Sequence, residues 1–482
     1  MMQNDSLLNR SVIGFKSVGL LAITKGSMQF FVQLILLRML APEVFGIFVF
    51  TQMIVGFLAI IASVQGRRAI IKEKDDFRGV LDTSFTYEFC LGIIISLLVV
   101  IFAPSIASQI GKAELVPYLQ VLALSIVLGG VIGIQRSIFE RSMDFRNANI
   151  SAIIGTISNG ILSISLALMG FGIWSLVVGI LFGQIVELIV LWKMLPVRPR
   201  INFNKHILLK VVRFGLPISL SGIFAFLYSH IDYFLIGKML GDLQLGYYWF
   251  GYSLSHHILA MQNSLSVVIF SAFSNAKNKL QLKNGFLKAT KLSASFFLLP
   301  CVIILVLGKP TIIFIFGEKW LPALLPFQVL IILASIRGIV VSHWSSLYML
   351  SGKTINILFI SIFYFLIITF FGYLVIPRFG IVGMSLVVLV ALSFSIPFAK
   401  ITLRRIIRFS YLKLIRKQIV IFVLVFFAAV IIKPIALINI IAYLGSIIML
   451  TILYGYFFYI IDREFFIWCR EIAFKLVALK NI

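Results

Sequence analysis

RMLAPEVFGIFVF (Arg38–Phe50) has a counterpart 200 positions later in KMLGDLQLGYYWF (Lys238–Phe250). Arg38 pairs with Lys238, Met39 with Met239, Leu40 with Leu240, Gly46 with Gly246 and Phe50 with Phe250. Each copy ends a long apolar segment on a basic residue, makes a short turn and enters another apolar segment. Self-similarity of this kind sets the architecture of a chain. The spacing is far longer than a solenoid repeat, so it predicts two large related halves. A weaker match, Leu119-Gln120-Val121-Leu122 against Phe327-Gln328-Val329-Leu330, recurs at an offset of 208.

Outward from that repeat the composition is that of a membrane protein. Hydrophobic residues make up 61% and charged residues 12%, against roughly 45–50% and 25% in soluble domains. Mean hydropathy is +1.09, and runs of about 20 apolar residues, enough to cross a bilayer core, recur throughout. The fold class is therefore all-α and polytopic. Cys90, Cys301 and Cys469 sit in or beside apolar segments without metal or disulfide spacing, which assigns them to packing.

Fourteen spans are predicted, at 18–37, 44–65, 84–107, 117–139, 150–170, 172–192, 214–237, 245–272, 292–316, 323–350, 355–376, 380–399, 418–438 and 440–461. Crossing each time places 32 of the 42 Lys and Arg residues on one set of connections and seven on the other. The positive-inside rule then makes the first set, and both termini, cytoplasmic. The net charge of +25 thus reflects membrane topology, and nucleic acid is excluded as a partner. No cleavable signal peptide is expected, because the first apolar segment is long and carries Lys25.

Six spans separate the repeat copies, which makes the halves parallel, related by an axis along the membrane normal. The predicted layout is an N-terminal lobe at 1–200, a C-terminal lobe at 201–403, and two extra spans with a tail at 404–482, the substrate cavity lying between the lobes. From Asp462, DREFFIWCREIAFKLVALKNI mixes aromatic and basic residues and reads as an interfacial helix on the inner leaflet.

Ionisable groups at bilayer depth mark functional candidates. Lys25, Gln29 and Gln33 recur every four residues and share one helical face. Arg337 sits near the middle of the tenth span, with Trp344 and Tyr348 on about the same face. Guanidinium groups suit phosphate, and aromatic rings suit sugar faces. The competing reading pairs Lys25 and Arg337 with carboxylates between helices. Arg136 either enters the cavity or snorkels to the interface. Asp232 and Glu187 are the best-buried carboxylates for ion coupling. Asp232 alternatively pairs with Lys25 or caps a helix. His256 or His257 shares a face with Ser253 and Asn263, and suits either a proton switch or a simple polar contact; no further ligand completes a metal site. His230 falls on a different face from Tyr228 and Asp232. Glu88 lies close enough to the cytoplasmic boundary to be solvated, and Pro217 reads as a first-turn proline. No nucleotide loop, nucleophile elbow, H-E-x-x-H motif or cofactor motif occurs, so neither an enzyme nor a cofactor is expected.

Arg38, Leu40, Pro42, Phe45 and Gly46 match positions of an R-L-L-x-P-x-x-F-G pattern, ERSMDFRN (Glu140–Asn147) a turn after the fourth span, and FGLPIS (Phe214–Ser219) with IDYFLIGKMLG (Ile231–Gly241) a seventh span. In these features the chain resembles Wzx-type polysaccharide-unit flippases, particularly the WzxC/TuaB-like branch of the multidrug/oligosaccharidyl-lipid/polysaccharide exporter superfamily. The resemblance covers most of residues 10–400. It implies translocation of an undecaprenyl-diphosphate-linked oligosaccharide across a bacterial cytoplasmic (inner) membrane by alternating access. Implied partners are the lipid-linked glycan, membrane lipids, a polysaccharide polymerase and a chain-length regulator. The excess of Lys25, Arg136 and Arg337 over cavity acids suits an anionic diphosphate or an acidic glycan. The alternatives are a multidrug cation antiporter or lipid II flippase of the same fold and, from another class, a membrane polymerase or acyltransferase, which the short outward connections disfavour.

Overall fold

The computed structural model describes residues 21, 24–63, 66–73, 75–274, 279–341, 344, 347–348, 355–403 and 410–478. The side chain of Asn263, the turn at 349–354 and the basic run at 404–409 lie outside the described residues. The described chain consists of helices joined by short turns and, at 195–204, by a longer non-helical connection. In order come α1 (24–39), α2 (Pro42–Ala62), α3 (Gly66–Lys72), α4 (Phe77–Ile110), α5 (Val116–Leu122), α6 (Leu124–Arg141), α7 (Phe145–Leu168), α8 (Ile173–Met194), α9 (Lys205–Met239) and α10 (Asp242–Ser274). They are followed by α11 (Lys279–Thr311), α12 (Leu324–Ile336), α13 (Ile355–Leu403), α14 (Arg416–Ala436), α15 (Ile440–Ile461) and α16 (Arg463–Ala478). Among the described residues, eleven helical stretches are long and apolar enough to cross a membrane. Side chains such as Ile101, Ile431 and Ile441 stand 66%, 77% and 78% exposed. An apolar surface of that extent suits lipid rather than water.

The elements begin and end for local reasons. Pro42 occupies the first turn of α2, where its missing N–H leaves no bond unmade. Asp76 caps α4 by accepting the Gly79 N–H at 2.9 Å, and Asn204 caps α9 through the N–H groups of His206 and Ile207. That cap starts α9 at Lys205, so Pro217 lies well inside the helix rather than in its first turn. The ERSMDFRN segment is turn chemistry. Met143 takes a positive φ of 57°, and Asp144 caps α7 through the Asn147 N–H. Its Glu140 pairs with Arg67 at 2.7 Å. Gly380, at φ 57°, bends α13 into two stretches.

The chain divides into two compact units. The first comprises the described residues up to Trp249 together with Ser361–Gly380; the second comprises Phe250–Ile360 and the residues from Ile381 onward. In the first, Phe85, Phe139, Ile134 and Leu191 form a core among α3, α4, α6 and α8. Glu88 is inside this unit, 5% exposed, its carboxylate accepting the Gly66 N–H at 2.9 Å. The expected solvation of Glu88 is thus overturned: α3 folds back over α4 and covers it.

The repeat copies meet each other within the first unit. An added Cβ on Gly46 would stand 1.8 Å from the Asp242 carbonyl oxygen, and one on Gly246 would stand 2.0 Å from the Pro42 carbonyl oxygen. The contact is reciprocal, and only glycine lets the two helix starts approach so closely. Phe45 stacks on Trp249 (5.1 Å, 15°) beside this crossing. Lys112 forms an ion pair with Asp242 and lies over the Phe50 ring at 4.6 Å.

In the second unit, α14 and α15 pack on α11 through Val302, Leu307, Val425, Tyr443 and Leu450. Asp462, 2% exposed, holds the corner before α16. It receives Lys417 and Gln418 Nε2 at 2.9 Å each, and Lys291 at 3.4 Å. Helix α16 turns Phe465 into the core, and Lys288 lies 5.1 Å over Trp468. Burial, together with Asp462, pushes the Cys469 thiol up to about 11, so it stays protonated and packs as a small apolar group.

Candidate functional site

Helix α1 carries Gln29 and Gln33 one turn apart, and both line a cavity of about 520 Å³ in the first unit. Small residues bring its walls together. Gly160 of α7 accepts Val32 of α1 at a distance that would place an added Cβ 2.4 Å from Val32 Cγ2. Gly155 and Gly183 let α7 and α8 approach backbone to backbone, an added Cβ on either meeting the other's carbonyl oxygen within 2.8 Å. The polar lining is completed by Gln52 of α2, Asn159 and Ser163 of α7, and His230 of α9. Ser163 donates to Asn159 Oδ1 at 2.9 Å, which pins that carboxamide. His230 stacks on Phe226 at 4.1 Å, with its Nδ1 3.0 Å from the Phe226 carbonyl. That contact assigns the Nδ1 hydrogen and leaves Nε2 as the second ring nitrogen. Phe48, Tyr233 and Trp249 add aromatic surface.

Charged groups cluster beside this wall. Arg136 of α6 forms an ion pair with Glu187 of α8, and Lys25, one turn before Gln29, interacts electrostatically with both. Two of the predicted cations and one predicted coupling carboxylate therefore belong to one cluster. Gln135 beside Arg136 is fully buried, and neither of its amide atoms has a hydrogen-bond partner among the described residues. Asp232 is 4% exposed. It accepts the Tyr248 hydroxyl at 2.8 Å and the Tyr233 N–H at 3.0 Å. Tyr233 meets Tyr248 and His230 edge to face, at 6.0 and 5.7 Å. Asp232 thus connects to the cavity wall through Tyr248 and Tyr233. Tyr228 instead meets Tyr364, edge to face at 5.9 Å.

The remaining candidates lie in the second unit. Arg337 opens a π-helical turn, Arg337–Val341, a local irregularity frequent at functional positions. It lines a cavity of about 10 Å³, the space of one water, with His256, Tyr252 and Ser255. His256 stacks on Tyr252 at 5.8 Å; its neighbour His257 does not line that cavity. Trp344 and Tyr348 are 2% and 1% exposed and belong to a core with Phe286, Phe297 and Leu347. The Trp344 indole donates to the Tyr411 hydroxyl at 2.6 Å, and the hydroxyls of Tyr348 and Thr402 form a hydrogen bond.

Sequence periodicity found Gln29 and Gln33. It missed Gln52, Asn159 and Ser163, and placed His230 only as lying away from Tyr228 and Asp232. The available signal was the single amide of a largely apolar α2 and an Asn–Ser pair at i, i+4 in α7. Neither spacing reveals which helix it faces.

Many long helices with exposed apolar faces, together with an amide-lined cavity in the first unit, define a multi-span α-helical membrane protein. The same fold occurs in the lipid II flippase MurJ in its inward closed conformation, with a TM-score of 0.76 at 15% identity, over 93% of this chain and 99% of that one. Residues 35–325 match the family described as polysaccharide biosynthesis protein, and the chain belongs to that family. It is 25% identical to the succinoglycan biosynthesis transport protein ExoT of Rhizobium meliloti, over 63% of this chain and 62% of that protein. It is 26% identical to the teichuronic acid biosynthesis protein TuaB of Bacillus subtilis, over 58% of this chain and 59% of that protein. The matches thus span somewhat under two thirds of each relative's length.

Proposed function

We propose that the chain is a carrier, not an enzyme, and that it moves an undecaprenyl-diphosphate-linked oligosaccharide from the inner to the outer face of a bacterial cytoplasmic membrane for surface polysaccharide assembly. The observation that carries this reading is the adjacency, in the first unit, of an amide-lined cavity and a cluster of two cations against one carboxylate. A lipid-linked sugar diphosphate needs both features: hydrogen-bonding groups for hydroxyls and surplus positive charge for phosphate. The family and the named relatives support the same direction. A multidrug cation carrier would favour acidic groups, whereas among the described residues that line the cavity none is a carboxylate. The charge asymmetry of the connections supports cytoplasmic termini. Its position in the pathway would place the protein with a polymerase and a chain-length regulator.

Lys25→Ala is expected to reduce surface glycan at least tenfold, with undiminished folded protein in the membrane and lipid-linked repeat units accumulating inside. Normal surface glycan in that variant would remove Lys25 from the site. Ion coupling is assigned to Asp232, held next to the cavity by Tyr248 and Tyr233. Asp232→Asn is expected to abolish the response of transport to an imposed proton gradient in vesicles, and an unaltered response would remove Asp232 from the mechanism.

A further inference from the structure

We infer that the connection between α8 and α9, residues 195–204, anchors the first unit on the inner leaflet by binding anionic phospholipid. Ile201 and Phe203 enter the headgroup region, and Arg198, Arg200 and Lys205 take the lipid phosphates. The inference stands on the geometry of this connection and is independent of the cargo. Two backbone N–H groups stitch the connection to α4. That of Arg200 donates to Asp82 Oδ1 at 2.8 Å, and that of Asn202 donates to Thr86 Oγ1 at 2.9 Å. Thr86 Oγ1 in turn donates to the Asn202 carbonyl at 2.9 Å. Bonding through alternate residues is the habit of extended chain, whose side chains alternate between two faces. Ile201 and Phe203 therefore share a face, and they stand 76% and 55% exposed.

Depth follows from α4. The span expected at 84–107 begins just before Thr86. The Gly66 N–H, just beyond the span expected at 44–65, meets Glu88 of the same helix at 2.9 Å. Two separate segments thus put the bilayer boundary within a turn of Thr86, on the side that the charge asymmetry makes cytoplasmic. Asn202 is bonded at that level, where an exposed Ile and Phe gain from contact with lipid. Charge points the same way. Arg198, Arg200 and Lys205 are exposed, and among the described residues none of them forms an ion pair. Asp82, the carboxylate that the connection touches, is 4% exposed and is already engaged by Arg78 Nε at 3.1 Å. A guanidinium fork matches phosphate oxygens, and basic side chains beside a cytoplasmic leaflet attract its anionic lipids.

The test places the full-length protein in nanodiscs of phosphatidylcholine, alone or with added phosphatidylglycerol. Its native cysteines are replaced by alanine, and Ile201→Cys carries an environment-sensitive fluorophore. The label is expected to be shielded from acrylamide, a neutral quencher, at least fivefold more in the anionic discs. Arg198→Gln with Arg200→Gln and Lys205→Gln should bring that ratio below twofold. The stitch to α4 survives these changes, because Arg200 makes it through its backbone. Should the triple variant fail to fold, Arg198→Gln with Lys205→Gln repeats the arm. Hydrogen exchange of the unsubstituted chain across 197–204 reads the same contact, and it is expected to be at least threefold slower in the anionic discs. Full quenching of the label in both discs would put the connection in water and overturn the anchor, leaving its apolar face to a cytoplasmic partner. Equal shielding in the two discs, equal exchange, or a preference that survives the glutamine substitutions would overturn the assignment of anionic lipid to these three cations.

Discussion

Gly46→Ala and Gly246→Ala are each expected to lower the thermal unfolding midpoint sharply and to remove much of the monodisperse protein recovered in detergent. An added Cβ at either position would stand within about 2 Å of a backbone carbonyl oxygen, Asp242 for Gly46 (1.8 Å) and Pro42 for Gly246 (2.0 Å). A flexible side chain could yield; a helix backbone yields only if α2 and α10 separate. Overpacking of this kind costs about 1–3 kcal/mol, and more where backbone must move. Separation would also disturb the Phe45–Trp249 stack. Because both glycines serve one crossing, the double variant should lose less than the sum of the singles. Gly445→Ala is the control, since nothing lies within 4 Å of an added Cβ there. Equal melting of Gly46→Ala and Gly445→Ala would mean that the two repeat copies do not meet at these positions.

The second large effect is expected at the Lys112–Asp242 pair. Both side chains are 9% exposed, and the ammonium also lies over Phe50. Removing one partner leaves a buried charge uncompensated, which costs about 3–5 kcal/mol. Lys112→Met and Asp242→Asn should therefore each destabilise strongly, while the combined variant regains much of the loss. A double-mutant cycle on thermal unfolding measures the coupling directly. Additive losses would show that the pair contributes nothing as a pair.

The two experiments probe features with different visibility in the sequence. That Gly46 and Gly246 are equivalent is plain from RMLAPEVFG and KMLGDLQLG; that the equivalents touch is not. Helical period likewise put Lys25, Gln29 and Gln33 on one face, because 3.6 residues per turn brings i and i+4 into line. It showed nothing of Asn159, Ser163 or Gln52, which reach the same cavity from α7 and α2. Lys25 and Arg136 read as surplus cations, and the structure brings both to Glu187. Glu88 read as solvated because linear distance from a span end ignores the fold-back of α3. Pro217 read as a first-turn residue because hydropathy marks where the bilayer begins, whereas the Asn204 cap marks where the helix begins.

By itself the amino-acid sequence determined that this is a many-span helical membrane protein with an internal repeat and a polar stripe on its first helix. Those properties follow from apolar run length, backbone hydrogen bonding in lipid and local periodicity, all of which act within one segment. Only the tertiary structure decided which groups share a cavity, which charges neutralise each other, and that the repeat copies cross at paired glycines. Such choices depend on contacts between residues far apart in the chain, and a helix's own period specifies a face without specifying its neighbour.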